Sequence, residues 1–252
     1  MTDTRSPSPA LRVFLDFDGT LVEPNVAIMV VQEFAANGRE LAREVDLALH
    51  AQKLTLREAW ETEARALPAD QIPEMAEFVR HHAPLRAGAR DLVDLLKRHR
   101  IPTTVLSGGL DVFIEPVLAR EGLDLPVLSE TAIRGPSGGL IVQHPFGHPT
   151  CRLCGICKAM AVDAPDDGPR SVFIGDGSTD RYGAEVADLV FARHRLLEFC
   201  RSNGIPCYPF EDFAPVVDQF AAWLEKGEPL PTRRHRGSAT SPCPISHALS
   251  VI

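Results

Sequence analysis

The sequence predicts an α/β protein in which a doubly wound parallel sheet carries an inserted helical cap domain. Short apolar runs typical of buried strands occur at residues 13–15, 103–106, 172–174 and 189–191. Amphipathic segments typical of helices separate these runs, and regular alternation of this kind favours a parallel sheet covered on both faces. Between the first two runs, residues 38–82 are rich in Ala, Leu, Glu and Arg, which favours a block of helices without strands.

The elements before the second strand follow from local composition. Residues 1–10 are rich in Ser, Thr and Pro and predict a flexible tail, and residues 12–17 predict the first strand. Apolar spacing over residues 26–34 predicts a helix. Pro68 and Pro73 are expected to divide the following stretch into separate helices, because proline cannot donate a backbone hydrogen bond inside a helix.

The elements after residue 88 resume the alternation of helices and strands. Residues 127–128 predict a short strand, and residues 133–142 predict a hairpin around the turn Gly-Pro-Ser-Gly-Gly. Beyond residue 226 the chain turns to Pro, Arg, Ser and His, which predicts a disordered tail. The predicted helices cover residues 91–99, 113–120, 156–162 and 179–186.

These elements predict a division of the chain into a core, a cap and two tails. The sheet-forming core is expected to comprise residues 11–24 and 84–225, because strand patterns occur only there. The helical cap is expected at residues 25–83, with flexible tails at 1–10 and 226–252.

Composition limits the partners that the chain can bind. Its 252 residues carry 34 acidic against 26 basic side chains, a net charge of −8, which argues against non-specific nucleic-acid binding. No apolar stretch approaches the length of a membrane span, and the first ten residues lack the apolar centre of a signal peptide. We therefore expect a cytoplasmic protein with a small-molecule partner and no membrane or nucleic-acid partner. An anionic substrate would need local positive groups or a metal ion.

Two carboxylates leave the first predicted strand together. Asp16 and Asp18 follow the apolar run 13–15, and residues two apart in an extended chain point to the same side. Two like charges at the end of a buried strand repel one another and are costly to desolvate, unless a cation holds them or they perform acid–base chemistry. The alternative is a pair of solvated aspartates in a surface turn, since Asp-Gly is a common turn dipeptide.

The ends of the other strands add complementary groups. The Ser-Gly-Gly sequence at 107–109 precedes a predicted helix, a position that favours an anion-binding site. The alternative is an ordinary strand-to-helix turn, which can have the same sequence. Asp176 and Asp180 lie four apart after the strand at 172–174, where carboxylates could complete an oxygen site suited to Mg²⁺ or could cap a helix. Lys158 precedes that strand, and its position favours an electrostatic role over the alternative of a surface lysine.

Taken in order, these segments resemble the four motifs of the haloacid-dehalogenase (HAD) superfamily of phosphatases, and the resemblance spans roughly residues 12–220. The helical insert lies where the phosphoserine-phosphatase-like subgroup of that superfamily carries its cap. Within the subgroup, residues 154–158 and 204–213 look most like the methionine-salvage branch. The four motif segments are Asp16 to Thr20, Ser107 with Gly108, Lys158, and Gly175 to Asp180.

The resemblance implies a Mg²⁺-dependent phosphomonoesterase with a HAD-like Rossmannoid core. Asp16 would be the nucleophile that forms an aspartyl-phosphate, and Asp18 would protonate the leaving group and then activate water. Thr20 would orient Asp18 and contribute to the phosphate site. The remaining phosphate-binding residues would be Ser107, Gly108 and Lys158. The metal-binding residues would be Asp16, Asp18 through its backbone carbonyl, Asp176 and Asp180.

Two other functions stay open on the same residues. One is a phosphotransferase or phosphomutase that passes the aspartyl-phosphate to an acceptor other than water. The other is a non-catalytic metal- or phosphate-binding module, which would not need an acid at Asp18. Asn25 stands where phosphoserine phosphatases carry a Glu for the substrate ammonium, which disfavours an amino-acid phosphate. Residues that could either face the substrate or form an outer helix face are Gln52, Lys53, Arg57 and Trp60.

A cluster of thiols suggests a second, structural metal site. His148, Cys151, Cys154 and Cys157 are spaced by three, and Cys-x-x-Cys steps can supply thiolates to Zn²⁺. The alternatives are a redox thiol pair or buried cysteines without a special role. The remaining cysteines are scattered through the second half of the chain and are expected to behave as small apolar side chains or exposed thiols.

Overall fold

The structure is a computed structural model that describes residues 10–232 and 234–249. Except for Ala10, the predicted N-terminal tail therefore lies outside the described residues, as do Arg233 and residues 250–252 of the predicted C-terminal tail.

A seven-stranded sheet with the order β4-β3-β2-β1-β5-β6-β7 forms the centre of the molecule. All neighbouring strands run parallel except β3 and β4, which form the predicted antiparallel hairpin. The strands are β1 (Leu11–Leu15), β2 (Thr103–Leu110), β3 (Val127–Arg134), β4 (Leu140–Gln143), β5 (Arg170–Gly175), β6 (Leu189–Ala192) and β7 (Tyr208–Pro209). Because the chain winds outward from β1 in both directions, ligands are expected at the carboxyl end of β1, where the strand order reverses.

Five α-helices lie between β1 and β2, and the first four form the inserted helical cap, whereas the fifth and the later helices belong to the sheet-forming part. Among the described residues, no helix is both long and apolar enough to cross a bilayer. The cap helices are α1 (Val26–Phe34), α2 (Gly38–His50), α3 (Leu56–Arg65) and α4 (Ile72–His82). The others are α5 (Ala89–Arg98), α6 (Asp111–Arg120), α7 (Lys158–Val162), α8 (Arg181–Val186), α9 (His194–Ser202), α10 (Ala214–Leu224) and α11 (Pro244–Leu249).

Two apolar layers cover the faces of the sheet. Val13 and Leu15 of β1 face one layer, while Phe14 between them faces the other, as the period of two requires. The first layer also contains side chains of α5, α6 and α10, and the second contains side chains of α7, α8 and α9. Burial on both faces explains why the central strands appear in the sequence as continuous apolar runs rather than as alternating patterns.

Side-chain capping sets the boundaries of the cap helices more than the positions of the prolines do. Thr55 and Glu58 form a reciprocal capping box that starts α3, so the chain breaks between α2 and α3 without any proline. Pro68 lies between α3 and α4, as predicted. Pro73, which was expected to break a helix, instead lies in the first turn of α4, where a missing backbone N–H costs nothing.

The two connections between the sheet and the cap run side by side. Val22 and Leu85 form an antiparallel bridge, and the backbone N–H of Arg86 donates to the carbonyl of Leu21 over 2.9 Å. A further bond joins the N–H of Glu23 to the carbonyl of Pro84 over 3.1 Å. We call residues 21–23 and 84–86 the paired linkers. They hold the cap at the carboxyl end of β1.

The described part of the C-terminal segment differs from the disordered tail predicted beyond residue 226. Residues 234–249 pack beside α8, and α11 ends that segment. The Ser241 hydroxyl donates to the buried Glu185 carboxylate over 2.7 Å, and Arg236 donates to the carbonyl of Ala164 over 2.7 Å. The Arg and Ser residues whose abundance predicted disorder therefore satisfy buried acceptors near α8.

Candidate active site

A tight turn at residues 17–21 carries the chain from β1 toward the cap. Asp16 begins it, is almost fully buried, and donates its backbone N–H to the carbonyl of Ile174 over 2.9 Å. Gly19 has a φ of +71°, and a Cβ atom there would lie 2.5 Å from Oδ2 of Asp176. Only glycine fits at this position, because the backbone conformation and the close carboxylate both exclude a side chain.

Lys158 bridges two carboxylates. Its Nζ lies 2.6 Å from Oδ1 of Asp16 and 2.6 Å from Oδ1 of Asp180. Burial alone would lower the pKa of Lys158, but the charges of Asp16 and Asp180 raise it above its ordinary value. The lysine is therefore a fixed cation beneath the strand ends, not the surface lysine of the alternative interpretation.

The turn after β5 supplies the other acidic groups. Oδ2 of Asp180 accepts from the backbone N–H groups of Asp176 and Gly177 over 2.9 and 2.8 Å. Oδ1 of Asp176 accepts from the Thr20 hydroxyl over 3.1 Å. Asp180 thus holds both the turn backbone and the Lys158 ammonium in place. Oδ1 of Asp176 is bonded to Thr20, whereas its Oδ2 could bind a metal ion.

Ser107 and its glycines lie inside β2 rather than in a turn after it. Ser107 is fully buried, and its Oγ accepts from the backbone N–H of Gly109 over 3.0 Å. A Cβ at Gly109 would lie 3.0 Å from Oδ2 of Asp18 and 3.3 Å from Oγ of Ser107. The Ser107 hydroxyl and the Asp18 carboxylate are therefore both close to Gly109. The structure therefore brings the segments at 16–20 and 107–109 together.

Three carboxylates form a group of the size that a single metal ion needs. Asp16, Asp176 and Asp180 each offer an oxygen within 4.8 Å of the others, and no other such group occurs among the described residues. Burial and the neighbouring Asp180 raise the pKa of Asp16 well above its ordinary value, with Lys158 acting in the opposite direction. Burial raises the pKa of Asp176 to about 6. One ammonium does not offset this density of acid, and hard oxygen donors of this kind fit Mg²⁺.

Asp18 stands apart from this group. Its Oδ1 accepts from the backbone N–H of Val26, the first residue of α1, over 2.7 Å. Burial raises the pKa of Asp18 to about 6, although the Val26 bond works in the opposite direction. A carboxyl group with that pKa can donate or accept a proton near neutral pH.

A cavity of about 990 Å³ lies between the sheet and the cap, and its lining includes Asp16, Asp18 and Asp176. Of the cap residues considered from the sequence, Gln52, Lys53 and Trp60 line it. Arg57 does not belong to that lining, and its Nε donates to Glu61 over 2.9 Å. Trp60 is buried at the cavity, whereas Gln52 and Lys53 are exposed.

The predicted zinc site is not supported. His148, Cys151, Cys154 and Cys157 do not form a metal-sized group in the described part of the chain. Nδ1 of His148 accepts from the backbone N–H of Cys151 over 3.0 Å and is therefore committed. Burial raises the pKa of Cys154 to about 12 and raises that of Cys157, so both thiols are protonated near neutral pH in the absence of a metal ion.

Two buried arginines behind the turn were missed from the sequence. Arg86 and Arg193 both donate to the carbonyl of Gly19, over 2.8 and 2.7 Å. Arg193 follows β6 directly, so an inspection of that strand end would have found it. Arg86 had no local signal, because it follows the cap in sequence and reaches the turn only through the paired linkers.

Comparison with known proteins places these features in a family. The family model for haloacid dehalogenase-like hydrolases matches residues 13–185. A 2-hydroxy-3-keto-5-methylthiopentenyl-1-phosphate phosphatase of Bacillus cereus (strain G9842) is 30% identical over 220 residues, covering 86% of this chain and 98% of the relative. The protein of that name from Geobacillus kaustophilus (strain HTA426) is 33% identical over 213 residues, covering 82% and 94%.

Solved structures share the architecture at lower identity. A phospho-aspartyl intermediate analogue of phosphoserine phosphatase aligns with a TM-score of 0.64 at 20% identity, covering 84% of this chain and 99% of that one. A substrate-bound phosphoserine phosphatase complex aligns with a TM-score of 0.62 at 19% identity, covering 85% and 99%. At this identity the likeness concerns the fold alone.

Proposed function

Because the chain belongs to the haloacid dehalogenase-like hydrolase family and is a phosphoric monoester hydrolase, we propose that it cleaves a small phosphorylated metabolite through an aspartyl-phosphate on Asp16, with Mg²⁺ as cofactor. The observation that carries this proposal is the convergence of Asp16, Lys158, Asp176 and Asp180 at the carboxyl end of β1, beside a carboxyl group of raised pKa. We assign catalysis to residues 11–24 and 84–225, and the covering of the site to residues 25–83.

Asp16 would attack phosphorus with its free carboxylate oxygen. Lys158 holds Oδ1 of Asp16 at 2.6 Å, which orients the carboxylate and leaves Oδ2 for the substrate. The phosphorus–oxygen bond of the ester breaks as the new bond to Asp16 forms. Water then hydrolyses the aspartyl-phosphate, releases inorganic phosphate and restores the carboxylate.

Asp18 would move the proton in both halves of the reaction. In the first half its carboxyl group would protonate the leaving alcohol oxygen, and in the second it would accept a proton from water. Its pKa of about 6 suits both roles near neutral pH. The Val26 N–H bond holds one carboxylate oxygen still, so the other is the one that would exchange the proton.

The remaining residues would bind the phosphoryl group or the cofactor. Ser107, the Gly108 backbone and Lys158 are assigned to the phosphoryl oxygens. Thr20 donates to Asp176, so we assign it to that carboxylate rather than to the phosphate or to Asp18. Mg²⁺ would be held by Asp16, Asp176 and the Asp18 carbonyl, with Asp180 acting through Lys158, and when bound it would offset carboxylate and phosphoryl charge.

For the substrate, we propose the compound that the relatives' names give, 2-hydroxy-3-keto-5-methylthiopentenyl-1-phosphate, or a similar methylthio keto phosphate ester. Asn25 supports this choice over phosphoserine. Its side-chain oxygen accepts from the backbone N–H of Ile28 over 2.9 Å, so it caps α1, and its neutral amide cannot form the ion pair that a carboxylate would form with a substrate ammonium.

The proposal is tested by phosphate release from purified protein with Mg²⁺, using p-nitrophenyl phosphate and a panel of phosphorylated metabolites. Release from wild-type protein and its loss in Asp16→Asn support the proposal. The exposed Asp94→Asn on α5 serves as the matched control and should keep full activity. Near-normal turnover in Asp16→Asn would reject the nucleophile. Turnover that requires an added acceptor alcohol would indicate the phosphotransferase instead, and phosphate binding without turnover would indicate a binding module.

A further inference from the structure

The two arginines behind the turn carry an inference beyond the motif residues. We propose that Arg86 and Arg193 form a clamp that positions the nucleophile turn, residues 16–20, for catalysis. They are positioning residues, because their contacts are with the turn backbone rather than with reacting atoms. The expected effect on turnover rests on the proposed phosphatase function, whereas the expected effect on the turn itself does not.

Each arginine contacts the turn from a different element. Arg86, at the end of the second paired linker, donates from Nε to the carbonyl of Thr20 over 3.0 Å and from Nη2 to that of Gly19 over 2.8 Å. Arg193, directly after β6, donates from Nη1 to the same Gly19 carbonyl over 2.7 Å. One carbonyl therefore accepts from two guanidinium groups, which fixes the plane of the peptide between Gly19 and Thr20.

Burial makes it costly in free energy to hold two arginine charges this close together. Arg86 is 9% exposed and Arg193 is 5% exposed, so two like charges share a space from which water is nearly excluded. Glu23, Asp176 and Glu211 offset the charge of Arg86 only in part. The Glu211 carboxylate also lies 3.3 Å from Nη2 of Arg193, but that side chain is 79% exposed. The fork geometry of arginine suits two backbone acceptors at once, which a lysine ammonium cannot match.

The position of the clamp explains what it controls. Gly19 and Thr20, which this peptide joins, both lie against Asp176: a Cβ at Gly19 would lie 2.5 Å from its Oδ2, and the Thr20 hydroxyl donates to its Oδ1. A rotation of this peptide would therefore move Asp18 and Asp176 together. Misplacement of catalytic groups by about 1 Å can cost roughly a hundredfold in rate. The clamp also ties the turn to a linker of the cap, because the backbone of Arg86 is bonded to Leu21.

The test compares Arg193→Lys, Arg86→Gln and the double variant with Arg90→Gln. Arg193→Lys keeps the buried positive charge, which favours a folded protein. Arg90 is a matched control because its half-exposed guanidinium pairs with Glu121 at 2.7 Å rather than with the turn. With Mg²⁺ and p-nitrophenyl phosphate, we expect kcat of each clamp variant to fall about tenfold or more. KM should change less than about threefold, and the control should stay within about twofold.

Two further results decide the inference. Hydrogen–deuterium exchange of the peptide covering residues 16–25 should rise in the clamp variants, but not in Arg90→Gln, with β1 as the internal reference. Because both arginines hold one carbonyl, the loss in the double variant should differ from the product of the single losses by at least about fivefold. Unchanged exchange, or independent single effects, would overturn the clamp. Absence of phosphatase activity in wild-type protein would reject the proposed function while the exchange measurement still tests the clamp.

Discussion

Replacement of Asp18 by Asn is expected to stabilise the folded protein while it abolishes turnover. Burial raises the pKa of Asp18 from 3.8 to about 6, so ionising this carboxyl group costs more in the folded protein than in the unfolded chain. A difference of about two pKa units corresponds to about 3 kcal/mol. We reduce this to about 2 kcal/mol, because the side chain retains partial access to water. Asparagine keeps the acceptor for the Val26 N–H, so the gain should not be offset by a lost bond.

The sign of the effect gives it a characteristic dependence on pH. Above about pH 6 the carboxyl group is ionised in both states, and the full penalty acts on the wild-type protein. As pH falls from about 6 to 4, the folded protein binds the proton first and the penalty disappears. The advantage of Asp18→Asn should therefore be complete at pH 7.5, decline through this window and be absent below about pH 4.

Thermal and urea unfolding in EDTA measure this difference without interference from a bound metal. At pH 7.5 we expect the melting temperature to rise by about 4–8 °C, the shift that about 2 kcal/mol gives in a protein of this size. Asp94→Asn, which changes an exposed carboxylate by the same atom, should leave it within about 1 °C. If Asp18→Asn is no more stable than the wild-type protein at pH 7.5, or if its advantage persists at pH 4, the assignment of a buried, desolvated acid is refuted.

Three other perturbations test the site. Lys158→Met should destabilise the protein by about 3–5 kcal/mol at pH 7.5, because it leaves Asp16 and Asp180 buried without their cation. Urea unfolding measures this change in the free energy of unfolding, and a loss below about 1 kcal/mol would contradict the buried ion pairs. Gly19→Ala should reduce kcat at least about a hundredfold, because its Cβ would lie 2.5 Å from Oδ2 of Asp176. Gly204→Ala is the control, since Gly204 is an exposed glycine that also has a positive φ. Equal activity of the two variants would count against the close approach of Gly19 to Asp176. Chelation with EDTA should abolish phosphate release and added Mg²⁺ should restore it, whereas activity that persists after dialysis against EDTA would contradict the cofactor assignment.

The sequence predicted the sheet and the acidic site because both depend on local patterns. The apolar runs at 13–15 and 172–174 are strands that are buried on both faces, and the residues directly after them reach one edge of the sheet. Asp16 and Asp176 therefore lie close together in the structure, although they are 160 positions apart in the sequence. The hairpin at 133–142 was equally local, since its glycine-rich turn lies between two short strands.

Features that depend on distant partners could not be predicted in the same way. The tail beyond residue 226 has a composition typical of disorder, yet Arg236 and Ser241 find buried acceptors that belong to other elements. The cysteine spacing suggested zinc, but the side chains of these residues do not come close enough together in the described part of the chain to form a metal-sized group. The capping box at Thr55 is a local signal, since the sequence Thr-x-x-Glu indicates a helix start without any proline.

The packing of the C-terminal segment has a practical consequence for anyone who shortens or extends this chain. Pro242 lies in the lining of the large cavity, and Ser241 beside it satisfies the buried Glu185. Truncation at residue 233 would remove the hydroxyl that donates to Glu185 and part of the cavity lining, while the contact between Asp16 and Lys158 stays intact. Turnover of small artificial esters would survive such an edit better than selectivity among larger ones, so expression tags belong at the opposite terminus.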